Sequence, residues 1–209
     1  MRSSLDEDEE SDARARWNHK YREAPDAWTT PDPFLLRAFS EYVRPSFPHG
    51  GRALDLAGGA GRHSIWLTRQ SSEVALWEVT LIDISEAGVE LATQNAGPLA
   101  SHICFVVDDL THFKGSQTPF ERQFDVVMAF FYLERDIFPE ILKALRPGGL
   151  LIYKTRTLAE GKPMSGPKNP EYLLNPGELL QLATGLRILH YQEEMSKAEL
   201  VAMSPGSHR

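Results

Sequence analysis

Cysteine is almost missing from this sequence: Cys104 is the only one among 209 residues. No intrachain disulfide can form, so the fold must be held by its core. Long apolar runs are missing too. No stretch approaches the roughly 20 residues that a membrane-spanning helix needs. The opening residues MRSSLDEDEESDARAR put acidic side chains where a secretory leader would carry an apolar core. A cytoplasmic protein with no membrane partner is therefore expected. Positive charge is the third shortage. Lys and Arg number 22 against 29 Asp and Glu, a formal net charge of −7, which argues against a general nucleic-acid binder. No His/Cys/carboxylate group has metal-ligand spacing, so no metal is expected. No GxSxG elbow points to serine hydrolysis. Internal repeats are absent as well. The length and the apolar share of 42% suit one α/β domain with a sizeable core.

Against these absences stands one dense stretch, ALDLAGGAGRHSIWL, from Ala53 to Leu67. It reads as a short apolar strand, a turn through Gly58-Gly59-Ala60-Gly61, and the start of an amphipathic helix. A strand, a glycine turn and a helix form the nucleotide-binding corner of a doubly wound sheet. Glycines let the chain turn tightly, and the helix N-terminus offers free N–H groups. Asp55 inside the strand selects the ligand. A carboxylate there repels a pyrophosphate and attracts an ammonium group. That disfavours a nicotinamide dinucleotide and favours S-adenosylmethionine, which has an amino-acid tail.

In chain order, residues 1–14 are expected to be a disordered acidic tail. Trp17 to Trp28 is aromatic and polar by turns, suited to a lid over the ligand or to packing on the sheet edge. A helix follows Thr30-Pro31-Asp32-Pro33, with Pro45 ending it. A helix from Gly61 to about Gln70 follows the first strand. Val79–Asp83 reads as the second strand, closed by a carboxylate about twenty positions beyond the glycine turn, the spacing for a ribose contact. Ser85 caps a helix from Glu86 to about Asn95. Ile103–Val107 is a strand with Cys104 in the core, flanked by solvated His102 and His112. Gly115–Gln123 is a polar loop, and Phe124–Phe130 a strand. A helix from Glu134 to Leu145 stops at Arg146-Pro147-Gly148-Gly149, before a strand at Leu150–Tyr153. Arg156–Leu174 is a long loop. Asn175 is a candidate cap, with Pro176 first in a short helix. Leu186–Tyr191 and Ala198–Ala202 close the sheet as two strands. Residues 15–204 form the domain, and 205–209 fray.

The stretch around Asp55 resembles motif I of class I S-adenosylmethionine-dependent methyltransferases, with Ala57 where the pattern has its first glycine and Gly59 and Gly61 at the others. The run from FDVVMAFFYL to LRPGGLLIYKT resembles the corresponding methyltransferase segment. Together with DLAGGAGRHSIWL, FFYLERDIFP and NPEYLLNPGELL, it looks like the tellurite-resistance and thiopurine methyltransferase branch. The resemblance covers Trp17 to Met203. It implies a single, mostly parallel seven-stranded Rossmann-like sheet with an N-terminal helical extension. It implies S-adenosylmethionine as cofactor and a small-molecule acceptor, a thiol or chalcogen oxyanion or similar, methylated by in-line displacement. Cofactor contacts fall on Asp55, Ala57, Gly58, Gly59, Gly61, Arg62, His63, Asp83 with Ile84, Asp109 with Leu110, and Ala129; Asp108 competes with Asp109 for the adenine. Acceptor-side candidates are Tyr21, Tyr132, Arg156 and Tyr172, and no catalytic base stands out. The AFFYL segment lacks the Asn/Asp-Pro-Pro-aromatic signature of amide and adenine-amino methyltransferases. A non-catalytic module that binds S-adenosylmethionine or a protein partner is the alternative, and a protein or RNA methyltransferase a weaker one. A monomer or weak homodimer is expected.

Overall fold

The computed structural model describes residues 4–113, 123–158 and 169–206. Most of the polar loop 115–123 and the middle of the long loop 156–174 lie outside the described residues. Helix α1 spans Ser4–Glu23, followed by a 3₁₀ turn at Pro25–Trp28. From Ser4 on, the polar stretch expected as a tail is thus the first part of a helix. It is secured near its end, where Arg14 and Asn18 bond Glu86.

Helix α2, Pro33–Ala38, starts at Asp32, whose carboxylate accepts from Phe34 N at 2.9 Å. It runs on as a π-helix, Phe39–Val43, and as α3, Arg44–Ser46, which contains Pro45. Strand β1 is Gly50–Leu56, α4 Arg62–Thr68, β2 Leu76–Asp83 and α5 Glu86–Ala96. Ser85 caps α5 as expected, accepting from Gly88 N at 3.0 Å. Strands β3, Ile103–Val107, and β4, Phe124–Phe130, have the bounds expected from their apolar runs. A 3₁₀ turn at Arg135–Ile137 leads into α6, Phe138–Ala144. Strand β5 begins earlier than expected, at Leu145, and runs to Arg156. The Pro-Gly-Gly segment is a register shift inside the pairing with β4, with Gly148 at φ +78°. Helix α7 is Glu178–Leu182, β6 Arg187–Glu194 and β7 Lys197–Met203.

Two local expectations are corrected. Asn175 does not cap α7: that helix starts later, behind Gly177 at φ +72°, and Asn175 donates its side-chain amide to Glu178. Cys104 is exposed, because β3 is an edge strand and the residue faces outward from it.

The sheet order is β3-β2-β1-β4-β5-β7-β6. β1 pairs in parallel with β2 and β4, β2 with β3, and β4 with β5. Only β7 runs against its neighbours β5 and β6. The chain order reverses between β1 and β4, where ligands of such sheets bind outside the strand carboxyl ends. Alternation along β1 sends Ala53 to one face and Leu54 to the other. One core packs Phe34, Leu35, Phe39, Ile65 and Trp77 on the first face. The other packs Phe124, Phe138, Ile141 and Leu179 on the second. Each such side chain contributes roughly 1.5–3 kcal/mol by burial, and every residue of β4 is buried. This central strand is rigid, so what stands at its carboxyl end is firmly placed.

Candidate functional site

The site grows from the glycine turn between β1 and α4. Gly58 N donates to Ile82 O at 3.1 Å and Gly61 N to Gly58 O at 3.0 Å, so the turn folds back onto the end of β2. Gly59 and Gly61 have φ of +54° and +79°, where glycine is favoured. Ala57 has φ +53°. The position where the resemblance expects glycine does adopt a glycine conformation, and alanine holds it at a cost of about 1–2 kcal/mol.

Two carboxylates support this turn from below. Asp83, the last residue of β2, accepts from Gly59 N at 2.8 Å through one oxygen and from Ser85 N at 2.9 Å through the other. Burial pushes its pKa up to about 6, against the pull of those two N–H groups. Asp55 is 1% exposed and accepts from Ser64 Oγ at 2.6 Å. Burial pushes its pKa up to about 7, opposed by Ser64 and by Arg62 nearby. Each Asp83 oxygen keeps acceptor capacity after one N–H bond. Two desolvated carboxylates under a glycine turn suit a ligand that brings hydroxyls and a positive charge.

Tyr21 roofs the turn. A Cβ on Gly59 would lie 1.9 Å from the Tyr21 hydroxyl, and one on Gly88 2.8 Å from its ring. Neither position accepts a larger residue while Tyr21 is there. Burial, with Asp83 next, pushes the phenol's pKa upward, so it stays protonated. The sequence places Tyr21 on the acceptor side; the structure places it on the glycine turn instead. The reason is the docking of α1 on the start of α5. Asn18 Oδ1 accepts from Ser85 Oγ at 2.7 Å and from Ala87 N at 3.0 Å, and its amide donates to Glu86 at 2.7 Å. The Asn18 amide first, then the Glu86 backbone N–H and Arg14, hold the Glu86 carboxyl down at about 2.

The remaining predicted cofactor residues gather here. Arg62 is half-buried and close enough to Asp55 and Tyr21 to bias both. Ile84 lies between Asp83 and Ser85. Asp109 is 7% exposed beside buried Leu110 and accepts from Thr111 N at 2.8 Å. Asp108 instead pairs with His112 Nδ1 at 2.7 Å, so neither group is merely solvated. Ala129 is fully buried in β4, pairing with Leu56 of β1. His63 is 3% exposed, its ring 4.1 Å from that of Phe130. Its Nε2 accepts from Asp32 N at 3.3 Å. Burial, then the charges of Arg62 and Lys154, push its pKa well down, so it is a neutral wall residue and not a proton carrier.

Of the residues expected on the acceptor side, Tyr132 follows the end of β4 and Arg156 ends β5. Phe131, absent from the sequence-based candidates, has φ +60° and is 37% exposed. Its N–H donates to Lys154 O at 2.7 Å. Arg156 lies 5.4 Å from its ring centre and Lys154 5.8 Å. Tyr132 is half-buried; burial pushes its pKa well up, with Tyr153, Glu134, Asp109 and Asp83 adding to it. Tyr172 is 47% exposed and stands apart, in a 3₁₀ turn fastened by Arg135. Arg135 holds Glu178 and the carbonyls of Glu171 and Leu173. Among the described residues no group of three His, Cys, Asp or Glu is placed to hold a metal. No helix among them is long and apolar enough to cross a membrane.

Comparison with known proteins agrees with this fold. Residues 53–149 match the family model described as a methyltransferase domain. YqeM of Bacillus subtilis (strain 168) is 31% identical over 124 residues, 55% of this chain and 46% of that protein. The chain thus spans about half the length of this relative. The structure of TehB from Haemophilus influenzae superposes with a TM-score of 0.69 at 15% identity, over 90% of this chain and 67% of that one. A structure described under the conversion of a disulfide bond into a thioacetal group in echinomycin biosynthesis superposes with a TM-score of 0.68 at 18% identity, over 94% of both chains. At these identities the superpositions speak for the fold alone. With this segment, this strand order and this glycine corner, the chain is similar to the class I S-adenosylmethionine-dependent methyltransferases, and residues 53–149 carry the match to a methyltransferase domain.

Proposed function

We propose that the chain binds S-adenosylmethionine over the glycine turn and transfers its methyl group to a small molecule held at the ends of β4 and β5. The observation that carries this is Asp83: a buried carboxylate that shapes the turn with both oxygens and retains capacity for hydroxyl donors. The donor set fits the cofactor. Asp83 offers acceptors for ribose hydroxyls, Asp55 a negative charge for an ammonium, Arg62 a guanidinium for a carboxylate, and Asp109 an acceptor for an adenine amino group. When bound, the cofactor supplies an electrophilic methyl on a sulfonium.

This chain's own part is to orient and to exclude water. Tyr21 covers the turn, and His63 and Phe130 form an apolar wall beside it. Holding two reactants in line is worth up to roughly 7–11 kcal/mol. His63 Nε2 is already taken by Asp32 N, and the Tyr132 phenol stays protonated. Neither is poised to remove a proton, which favours an acceptor already anionic at its reacting atom, such as a thiolate or an oxyanion. Phe131, with Arg156 and Lys154 near its ring, suits such an anion.

Thermal unfolding with S-adenosylmethionine, S-adenosylhomocysteine or NAD tests the cofactor. A ligand at about 100 times its Kd adds roughly 2.7 kcal/mol, a rise of about 5–11 °C for this length. A rise with the adenosyl ligands alone is expected. A rise with NAD alone, or none, contradicts the proposal.

A further inference from the structure

One polar cluster lies outside the cofactor contacts and joins four separate parts of the chain. Lys154, near the end of β5, is 7% exposed. Its Nζ donates to Asp32 Oδ1 at 2.8 Å and pairs with Glu199 Oε1 on β7 at 2.9 Å. Glu199 Oε2 in turn accepts from Arg37 of α2 at 2.8 Å. Two cations and two carboxylates balance. A buried lysine is tolerated only with such partners.

Asp32 is the hub. The same Oδ1 that accepts from Lys154 accepts from Phe34 N and starts α2. Its own N–H donates to His63 Nε2, in the first turn of the helix that follows the glycines. Meanwhile the Lys154 carbonyl accepts from Phe131 N and holds that residue at φ +60°. One short relay therefore runs from the aromatic at the acceptor end, through Lys154 and Asp32, to the histidine beside the glycine corner. Its key link bridges 122 positions of sequence.

We propose that Lys154 and Asp32 are positioning residues that couple the two halves of the site. The buried pair fixes the segment before α2 against β5, and that segment fixes His63 and with it the entry to α4. Loss of the Lys154 charge leaves Asp32 buried without a cation, while Glu199 keeps Arg37. Asp32 then withdraws toward water, His63 loses its donor, and the glycine corner loosens although no cofactor contact has been touched.

The inference rests on the cofactor reading above, so two readouts are needed. The first is S-adenosylhomocysteine affinity by calorimetry in the intact protein, Lys154→Met, Asp32→Asn, the double variant and Lys154→Arg. Each is measured where circular dichroism shows it folded. Lys154→Met and Asp32→Asn should each weaken binding about tenfold. The double variant should be no weaker than Lys154→Met alone, because both break one link. Lys154→Arg, which keeps the charge, should stay within about threefold of the parent protein, which loss of packing alone would not produce. Independent effects that multiply, or Lys154→Met binding within twofold of the parent, overturn the proposal.

The second readout is hydrogen exchange of the amides from 57 to 65 without ligand. It should accelerate at least fivefold in Asp32→Asn, which keeps a side-chain oxygen to cap α2, and unchanged exchange overturns the coupling. If the intact protein fails to bind the ligand, the cofactor reading falls while exchange still decides the coupling. If Lys154→Met does not fold, Asp32→Asn and Lys154→Arg carry both readouts.

Discussion

On the β1–β2–β3 side, the contacts inside the glycine corner are short in sequence, while the docking of α1 reaches farther. Ser64 reaches Asp55 over 9 positions, Gly59 reaches Asp83 over 24, and Ser85 reaches Asp83 over 2. On the β4–β5 side they are long: Lys154 reaches Asp32 over 122 positions and Arg37 reaches Glu199 over 162. The near half uses backbone donors and glycine conformations. The far half uses charged side chains that meet only once the whole sheet is assembled. A site half written in local contacts is legible as a motif and tolerates little local change. A half assembled from distant charges carries no motif, and its substrate preference is free to vary on the same fold.

The comparison breaks most sharply at Gly59. Gly59→Ala forces a side chain into a left-handed position and onto the Tyr21 hydroxyl. The strain is about 1–3 kcal/mol, a fall in Tm of roughly 2–12 °C. Binding of S-adenosylhomocysteine should fall beyond the range of calorimetry. A variant that kept normal affinity would show that the turn does not carry the cofactor.

Acidity should act on the near half. Asp83 and Asp55 have pKa values raised to about 6 and about 7 from an ordinary 3.8. The folded protein thus keeps protons that the unfolded chain has released. Their contribution to the stability of the unliganded protein is fully present below about pH 4 and is lost as pH rises through 6 to 7. Ligand binding runs the opposite way, because hydroxyl donors prefer the ionised Asp83. Affinity for S-adenosylhomocysteine should be level above about pH 8, begin to fall near pH 7 as Asp55 gains its proton, and fall more steeply below about pH 6 as Asp83 does. A profile level down to pH 5 would remove Asp83 from the binding step.

The smallest effect is at Ala57. Ala57→Gly relieves about 1–2 kcal/mol of left-handed strain, offset by about 0.4–1 kcal/mol of added freedom in the unfolded chain. A rise in Tm of up to about 6 °C is expected. A fall would mean that the turn does not need a glycine conformation there.

The same division explains what the sequence discloses. The strand bounds of β3 and β4, the Ser85 cap and the final hairpin follow from apolar runs, a hydroxyl before a helix, and a short turn between two strands. The glycine corner and Asp83 follow from residue types with strong conformational or charge meaning. Ala57 hides its left-handed backbone because alanine advertises helix. Tyr21 reads as an acceptor-side aromatic because nothing local announces that Asn18 will fasten α1 to Ser85, Glu86 and Ala87. Phe131 hides for the same reason: its special conformation depends on a carbonyl from β5. Asp32 is readable as a residue at the start of a helix, but its role as cap and its partner Lys154 are not.

Titration calorimetry of S-adenosylhomocysteine into the intact protein and into Asp83→Ala tests the central claim most directly. Binding in the intact protein, weakened at least 100-fold in Asp83→Ala while the circular dichroism spectrum is unchanged, is the expected result. Equal affinity in the two proteins would contradict it and would leave the glycine corner without its assigned ligand.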